Sequence, residues 1–154
     1  MYYTKPSANS LLKLIEQKIV IFDGAMGTMI QRQILAEEDF RGDSFLEHPS
    51  PLKGNNDLLS ITCPDVIEKI HLEFLEAGAN ILGTNTFNAN RISQADYRLE
   101  KSVAEINRAS VNIAHKAIES FQSGQPVEEI QSHQSIFVTG SIGPPTRTCS
   151  MSPA

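Results

Sequence analysis

The chain has 154 residues and a mass of 17.0 kDa, with 40% apolar and 20% charged residues, nine glycines and eight prolines, the balance of an ordinary globular protein rather than a disordered, collagenous or coiled-coil one. That length suits one domain and is short for two. A net charge of −5 and a pI near 5.3, with lysines and arginines scattered singly, argue against a nucleic-acid surface, and the longest apolar run, Ile19 to Phe22, is far too short to cross a bilayer. Met1 to Lys5 lacks the apolar stretch of a secretion signal, so the chain reads as cytoplasmic, with neither nucleic acid nor membrane as partner.

In chain order, Leu11, Leu12, Leu14 and Ile15 behind Ser10 predict a short amphipathic helix after a tail over residues 1–9. Ile19-Val20-Ile21-Phe22, closed by Asp23-Gly24, predicts a strand buried on both faces, as in parallel sheets. A helical turn is expected near Gly27-Thr28. From Ala36 to about Ser60 no periodicity survives and Gly and Pro punctuate the chain, which predicts a long irregular segment, a length usually reserved for function. Pro64 at a first helical position, Asp65 and Glu68 near the positive end, and Val66, Ile67, Ile70, Phe74 and Leu75 at helical spacing predict a helix that stops at Gly78. A short strand over Asn80 to Thr84 follows. Leu99, Val103, Ile106, Ser110, Ile113 and Ala117 then mark the longest helix, up to Gly124-Gln125-Pro126, and after a polar link Ile136 to Thr139 predicts a third strand.

This alternation specifies an α/β fold with a parallel sheet and right-handed crossovers. Each strand ends in a small polar cluster: Asp23-Gly24, Thr84-Asn85-Thr86 and Thr139-Gly140-Ser141. In parallel α/β architectures the carboxyl ends of strands line the ligand site, so the three clusters predict a small-molecule pocket at one edge. Asp23 is placed to accept from an ammonium or hydroxyl group, or else to cap the next turn. Asn85 carries donors and an acceptor suited to orienting a zwitterion, or else forms an Asx-turn. Gly140 to Gly143 could offer backbone N–H groups to an anion or simply turn the chain.

Cys63 and Cys149 stand 86 positions apart without CxxC or Cys-His spacing, and His48, His71, His115 and His133 lie more than four residues from one another and from either cysteine, so no local metal site is indicated. His71 and His115 are read as helix-face residues. Cys63, before Pro64, is either a thiol activated by the helix dipole or, more commonly for such a residue, a small buried or capping one. GxSxG, Walker and GxGxxG patterns are absent.

Four ordered segments carry a resemblance: Asp23 to Gln31 (DGAMGTMIQ), Lys53 to Leu59 (KGNNDLL), Ala77 to Asn88 (AGANILGTNTFN), and Gly140 to Pro144 with Met151 to Pro153. Together they resemble the N-terminal homocysteine-binding domain of the cobalamin-dependent methionine synthases, within the homocysteine S-methyltransferase family. DGAMGT and TNTF are general to homocysteine methyltransferases, whereas KGNNDLL is more particular to the cobalamin-dependent kind. The resemblance implies a (β/α)₈ TIM barrel binding homocysteine at the carboxyl ends of its strands, with a three-cysteine zinc that activates the thiol. Methyl transfer would run from 5-methyltetrahydrofolate through methylcobalamin to homocysteine, giving methionine. It carries substrate contacts onto Asp23 and Gly24 and pocket-lining positions onto Thr84, Asn85, Gly140 and Ser141.

A TIM barrel takes about 250 residues. Residues 10–154 are therefore expected to form a partial barrel, the first three strands with their helices, ending after the third strand as an N-terminal fragment. Neither cysteine falls at a zinc-ligand position of the family, whose three cysteines are expected beyond Ala154. The fragment is thus expected to bind neither zinc nor cobalamin, to be inactive alone, and to oligomerise or dissolve poorly through unpaired strand edges. The alternatives are a cobalamin-independent homocysteine S-methyltransferase using a betaine or S-methylmethionine-type donor, and a non-catalytic barrel remnant.

Overall fold

The computed structural model describes residues 7–124 and 135–145. The tail through Pro6, the polar link after Gly124, and the stretch holding Cys149 and Met151 to Pro153 lie outside the described residues, as does His133. Helix α1 spans Ala8–Gln17 and begins earlier than expected, because Ser7 rather than Ser10 is the N-cap: its Oγ accepts the Ser10 N–H at 3.3 Å. Helix α2 covers Met26–Gln31, where the turn was expected.

The segment expected to be irregular holds helix α3 (Glu37–Arg41), a 3₁₀ turn over Asn56–Leu58 and helix α4 (Leu59–Thr62). Its order comes from charged side chains that satisfy loop backbone rather than from a hydrophobic stripe. The Arg41 guanidinium donates to the carbonyls of Phe45, Leu46, His48 and Ser50 at 2.8–3.2 Å. Glu37 accepts the N–H groups of Leu52 and Lys53 and pairs with Arg41 at 2.8 Å. Those contacts leave no periodic signature.

Helix α5, Pro64–Glu76, matches its prediction closely. Its end is a Schellman motif: Gly78, at φ +97°, donates to Leu75 O and Ala79 donates to Phe74 O. Strand β1 is Ile81–Gly83, then Asn90 caps the short helix α6 (Arg91–Gln94) by accepting the Ser93 N–H. A 3₁₀ turn over Ala95–Tyr97 leads to α7 (Val103–Ser123), and β2 is Phe137–Thr139. Helices α5 and α7 pack along each other, and Ile67, Ile70, Ile106 and Ile113 join Leu58, Leu59 and Leu99 in the larger core cluster. Leu82 reaches a second cluster with Leu75, Ala117, Ile118, Phe121 and Ile136.

β1 and β2 pair in parallel, Leu82 opposite Val138, and the 19–23 segment runs parallel to β1 on its other side. The three segments therefore neighbour one another in chain order, giving a mostly helical α/β chain with a small parallel sheet. The first segment departs from the expectation. It makes a single bridge, Phe22 with Ile81, rather than a strand, and it is not buried on both faces: Ile19 is 88% and Phe22 54% exposed. The ladder stops because the Asn80 side chain takes over a backbone role, its Oδ1 accepting the Ile21 N–H at 3.1 Å, while Ile21 O receives both Asn80 and Ile81 N–H. Among the described residues no helix is long and apolar enough to cross a membrane.

Candidate functional site

The chain turns out of the sheet at the same end of each parallel segment, and a cavity of about 390 Å³ opens there. Asp23, Gly24, Thr84, Asn85 and Ser141 all line it, as the strand-end argument expects. Gly140 does not; it is exposed at the end of β2.

Asp23 follows the Phe22 bridge, which fixes its backbone: its N–H donates to Ile81 O at 2.9 Å. Its carboxylate turns across the sheet end and accepts the Gly83 N–H on Oδ1 at 3.0 Å. Glycine eases that approach, since a Cβ at position 83 would stand 3.3 Å from both Asp23 Oδ1 and the Phe22 ring, a tight contact in which a side chain must give by a few tenths of an ångström. The Asp23 side chain is only 4% exposed, and burial pushes its pKa up to about 6, against the smaller lowering effect of the Gly83 hydrogen bond. A carboxylate with one backbone donor and no cation lacks the partner that would offset its desolvation.

Thr84 and Asn85 are buried and largely committed to the frame. Thr84 Oγ1 lies 2.7 Å from Thr86 Oγ1 and accepts the Ser141 N–H, while the Thr86 hydroxyl donates to Ser141 O at 2.8 Å. This stitches the loop after β1 to the loop after β2. The Asn85 amide donates to Asn56 O at 2.7 Å and to Ser60 Oγ at 3.2 Å, which uses both of its N–H groups and leaves Oδ1 for a ligand. The Ser110 hydroxyl of α7 completes the cluster with Ser60 Oγ and Asn85 O. The anion-binding reading of Gly140 to Gly143 loses two of its donors: Ser141 N–H is held by Thr84, and Gly143 N–H by Phe87 O at 2.7 Å.

Sequence reasoning missed the second carboxylate of the cavity. Asp57, in the KGNNDLL segment, accepts the Asn88 N–H at 2.8 Å, and burial raises its pKa. That segment is the scaffold of the TNTFN loop: Asn55 and Gln94 exchange two buried amide hydrogen bonds at 2.8 and 3.1 Å, Asn56 holds Asn85, and Leu58 and Leu59 anchor in the core. A run of Asn-Asn-Asp followed by two leucines is the only trace of this in sequence.

Cys63 precedes α5 but makes no cap bond. Its thiol donates to Asp39 O at 3.3 Å and burial pushes its pKa up, so the dipole-activated reading is corrected: burial and the nearby Asp39 outweigh the helix end. Zinc, which the resemblance implies, does not fit the described residues, for no three His, Cys, Asp or Glu side chains among them converge.

Residues 20–154 match the model of the homocysteine S-methyltransferase family. The chain therefore belongs to that family. Its fold is similar to that of the homocysteine methyltransferase MmuM from Escherichia coli, in crystal structures of the oxidized and the metallated forms, each at TM-score 0.65 and 23% identity over 88% of this chain. The match covers 41% and 42% of those chains, so this chain spans well under half the length of those structures.

Proposed function

We propose that this chain supplies the part of a homocysteine S-methyltransferase that holds the amino-acid end of homocysteine, with Asp23 receiving the substrate ammonium. The observation that carries the reading is the Asp23 carboxylate itself: buried, held by a single backbone donor, with its pKa raised, and opening into a cavity at the sheet edge. An ammonium group there restores the charge balance that desolvation removes. Asp57 adds negative potential, and Asn85 Oδ1 offers an acceptor. Phe22, Met26 and Phe87 give the cavity apolar wall for the substrate's methylene groups.

Within the family we place the chain with the cobalamin-dependent methionine synthases, which use 5-methyltetrahydrofolate as donor and act in the cytoplasm. The KGNNDLL segment, more particular to the cobalamin-dependent kind, supports this over a betaine or S-methylmethionine-type donor, and its Asn56 and Asp57 line the cavity. Zinc and cobalamin chemistry is assigned to residues outside this sequence, and complete methyl transfer to the whole barrel. Calorimetric titration of the full chain with L-homocysteine tests the site. Saturable binding that D23N abolishes, with no binding of the des-amino thiol acid, is expected; equal binding of both compounds, or none of either, refutes the assignment.

A further inference from the structure

His71 stands on α5 with its side chain fully buried, and among the described residues neither ring nitrogen has a hydrogen-bond partner. Buried polar groups are nearly always paired, so an imidazole with two open nitrogens calls for a reason. Nδ1 lies 3.9 Å from Asp23 Oδ2, the carboxylate oxygen that Gly83 leaves free, while His71 itself takes no part in lining the cavity. The distance is about 1 Å beyond a hydrogen bond. Burial lowers the His71 pKa to about 4, so at neutral pH the ring is uncharged and carries one proton. On Nε2 that proton would be buried without an acceptor; on Nδ1 it faces a carboxylate.

We propose that His71 is a positioning residue for Asp23, carrying its proton on Nδ1 and closing onto Asp23 Oδ2 when a cationic ligand engages the carboxylate. Gly83 N–H on Oδ1 and His71 Nδ1–H on Oδ2 then fix the plane of the carboxylate, and the remaining lone pairs face the cavity. No proton changes owner. At 3.9 Å the pair is not hydrogen-bonded, and a firmly held anion there would be buried without a counter-charge. Other titratable groups leave this contact to the pair: Asp57, across the cavity, is occupied by Asn88 N–H, and Glu68, one turn earlier on α5, is held by Lys116 and Ser120. The identity of the cation rests on the proposed function; the tautomer and the contact do not.

The test uses the full chain with ¹⁵N-labelled histidine and long-range ¹H–¹⁵N spectra at pH 7.5, with the His71 signals assigned from their loss in H71N. The Nδ1–H tautomer is expected, with the Nδ1 proton moving downfield on addition of L-homocysteine. The Nε2–H tautomer overturns the proposal whether or not any variant folds. H71F keeps the bulk and removes the donor, and is expected to weaken homocysteine binding roughly ten-fold. H71N, which keeps an amide donor near the Nδ1 position, is expected to recover most of the affinity. An H71F protein with unchanged homocysteine affinity overturns the proposal. If the native chain binds no homocysteine, the functional reading fails alone, and the tautomer still decides the role of His71.

Discussion

Replacing Asp23 by asparagine separates what the residue does for function from what it costs the fold. Burial lifts its pKa from 3.8 to about 6, so the native state holds the proton more tightly than the unfolded chain. Stability due to this group is then greatest at low pH, falls as pH rises from about 4 to 6, and stays at its lower level above that. The full difference corresponds to about 3 kcal/mol, and water in the open cavity brings the working figure to between about 1 and 3 kcal/mol. In D23N the amide oxygen of the new side chain still accepts the Gly83 N–H, so the variant loses the charge and keeps the contact. D23N is therefore expected to be more stable than the native chain at pH 7.5 by that amount and nearly equal to it at pH 4. Urea titrations followed by circular dichroism at the two pH values measure this, the difference between the proteins cancelling the contributions of Asp57 and Glu37. His71 supplies an internal contrast. Its pKa falls from 6.5 to about 4, so its contribution is lost as pH drops through that range, opposite in sign to Asp23. The His71 contribution should rise with pH between about 4 and 6.5, read as the difference between D23N and D23N/H71F, which cancels the opposing contribution of Asp57. A D23N difference that is the same at both pH values refutes the claim that Asp23 is a destabilised buried acid.

Two further substitutions probe the frame around the cavity. Q94L leaves Asn55 buried without its amide partner and removes the donor to Asn88 O, and is expected to cost about 3 kcal/mol in urea denaturation, with N55L/Q94L recovering part of the loss. In G143A the new methyl would overlap the Phe87 ring; because that ring is half exposed it can swing away, so stability should change by less than about 1 kcal/mol while homocysteine affinity drops, read by calorimetry.

The elements that were legible in the sequence are those whose cause is local. Pro64 and Gly78 bracket α5 because one has no N–H to lose and the other tolerates φ +97°, and the stripe from Ile106 to Ala117 is the buried face of α7. The strand ends were legible too, since a β-branched run closed by small polar residues signals where a parallel sheet presents its ligands. Residues 36–60 were not: Arg41 organises that loop by reaching carbonyls as far as Ser50, and a guanidinium serving backbone looks in sequence like any exposed charge. The first strand was over-read for a related reason. Ile19 to Phe22 carry the composition of a doubly buried strand, but burial is a property of neighbours, and the packing here leaves Ile19 and Phe22 open.

By itself the sequence determined the family, through ordered motifs, the α/β alternation, and the placement of Asp23, Thr84, Asn85 and Ser141 at one edge of the sheet, all consequences of short-range pattern and strand direction. Only the tertiary structure decided what those groups are free to do. It committed the Asn85 donors to Asn56 and Ser60, brought Asp57 in as a second carboxylate, and set His71 beside Asp23 from a helix 48 positions further along the chain. Hydrogen-bond capacity and desolvation depend on which atoms meet in space, and residues distant in the chain supply most of them.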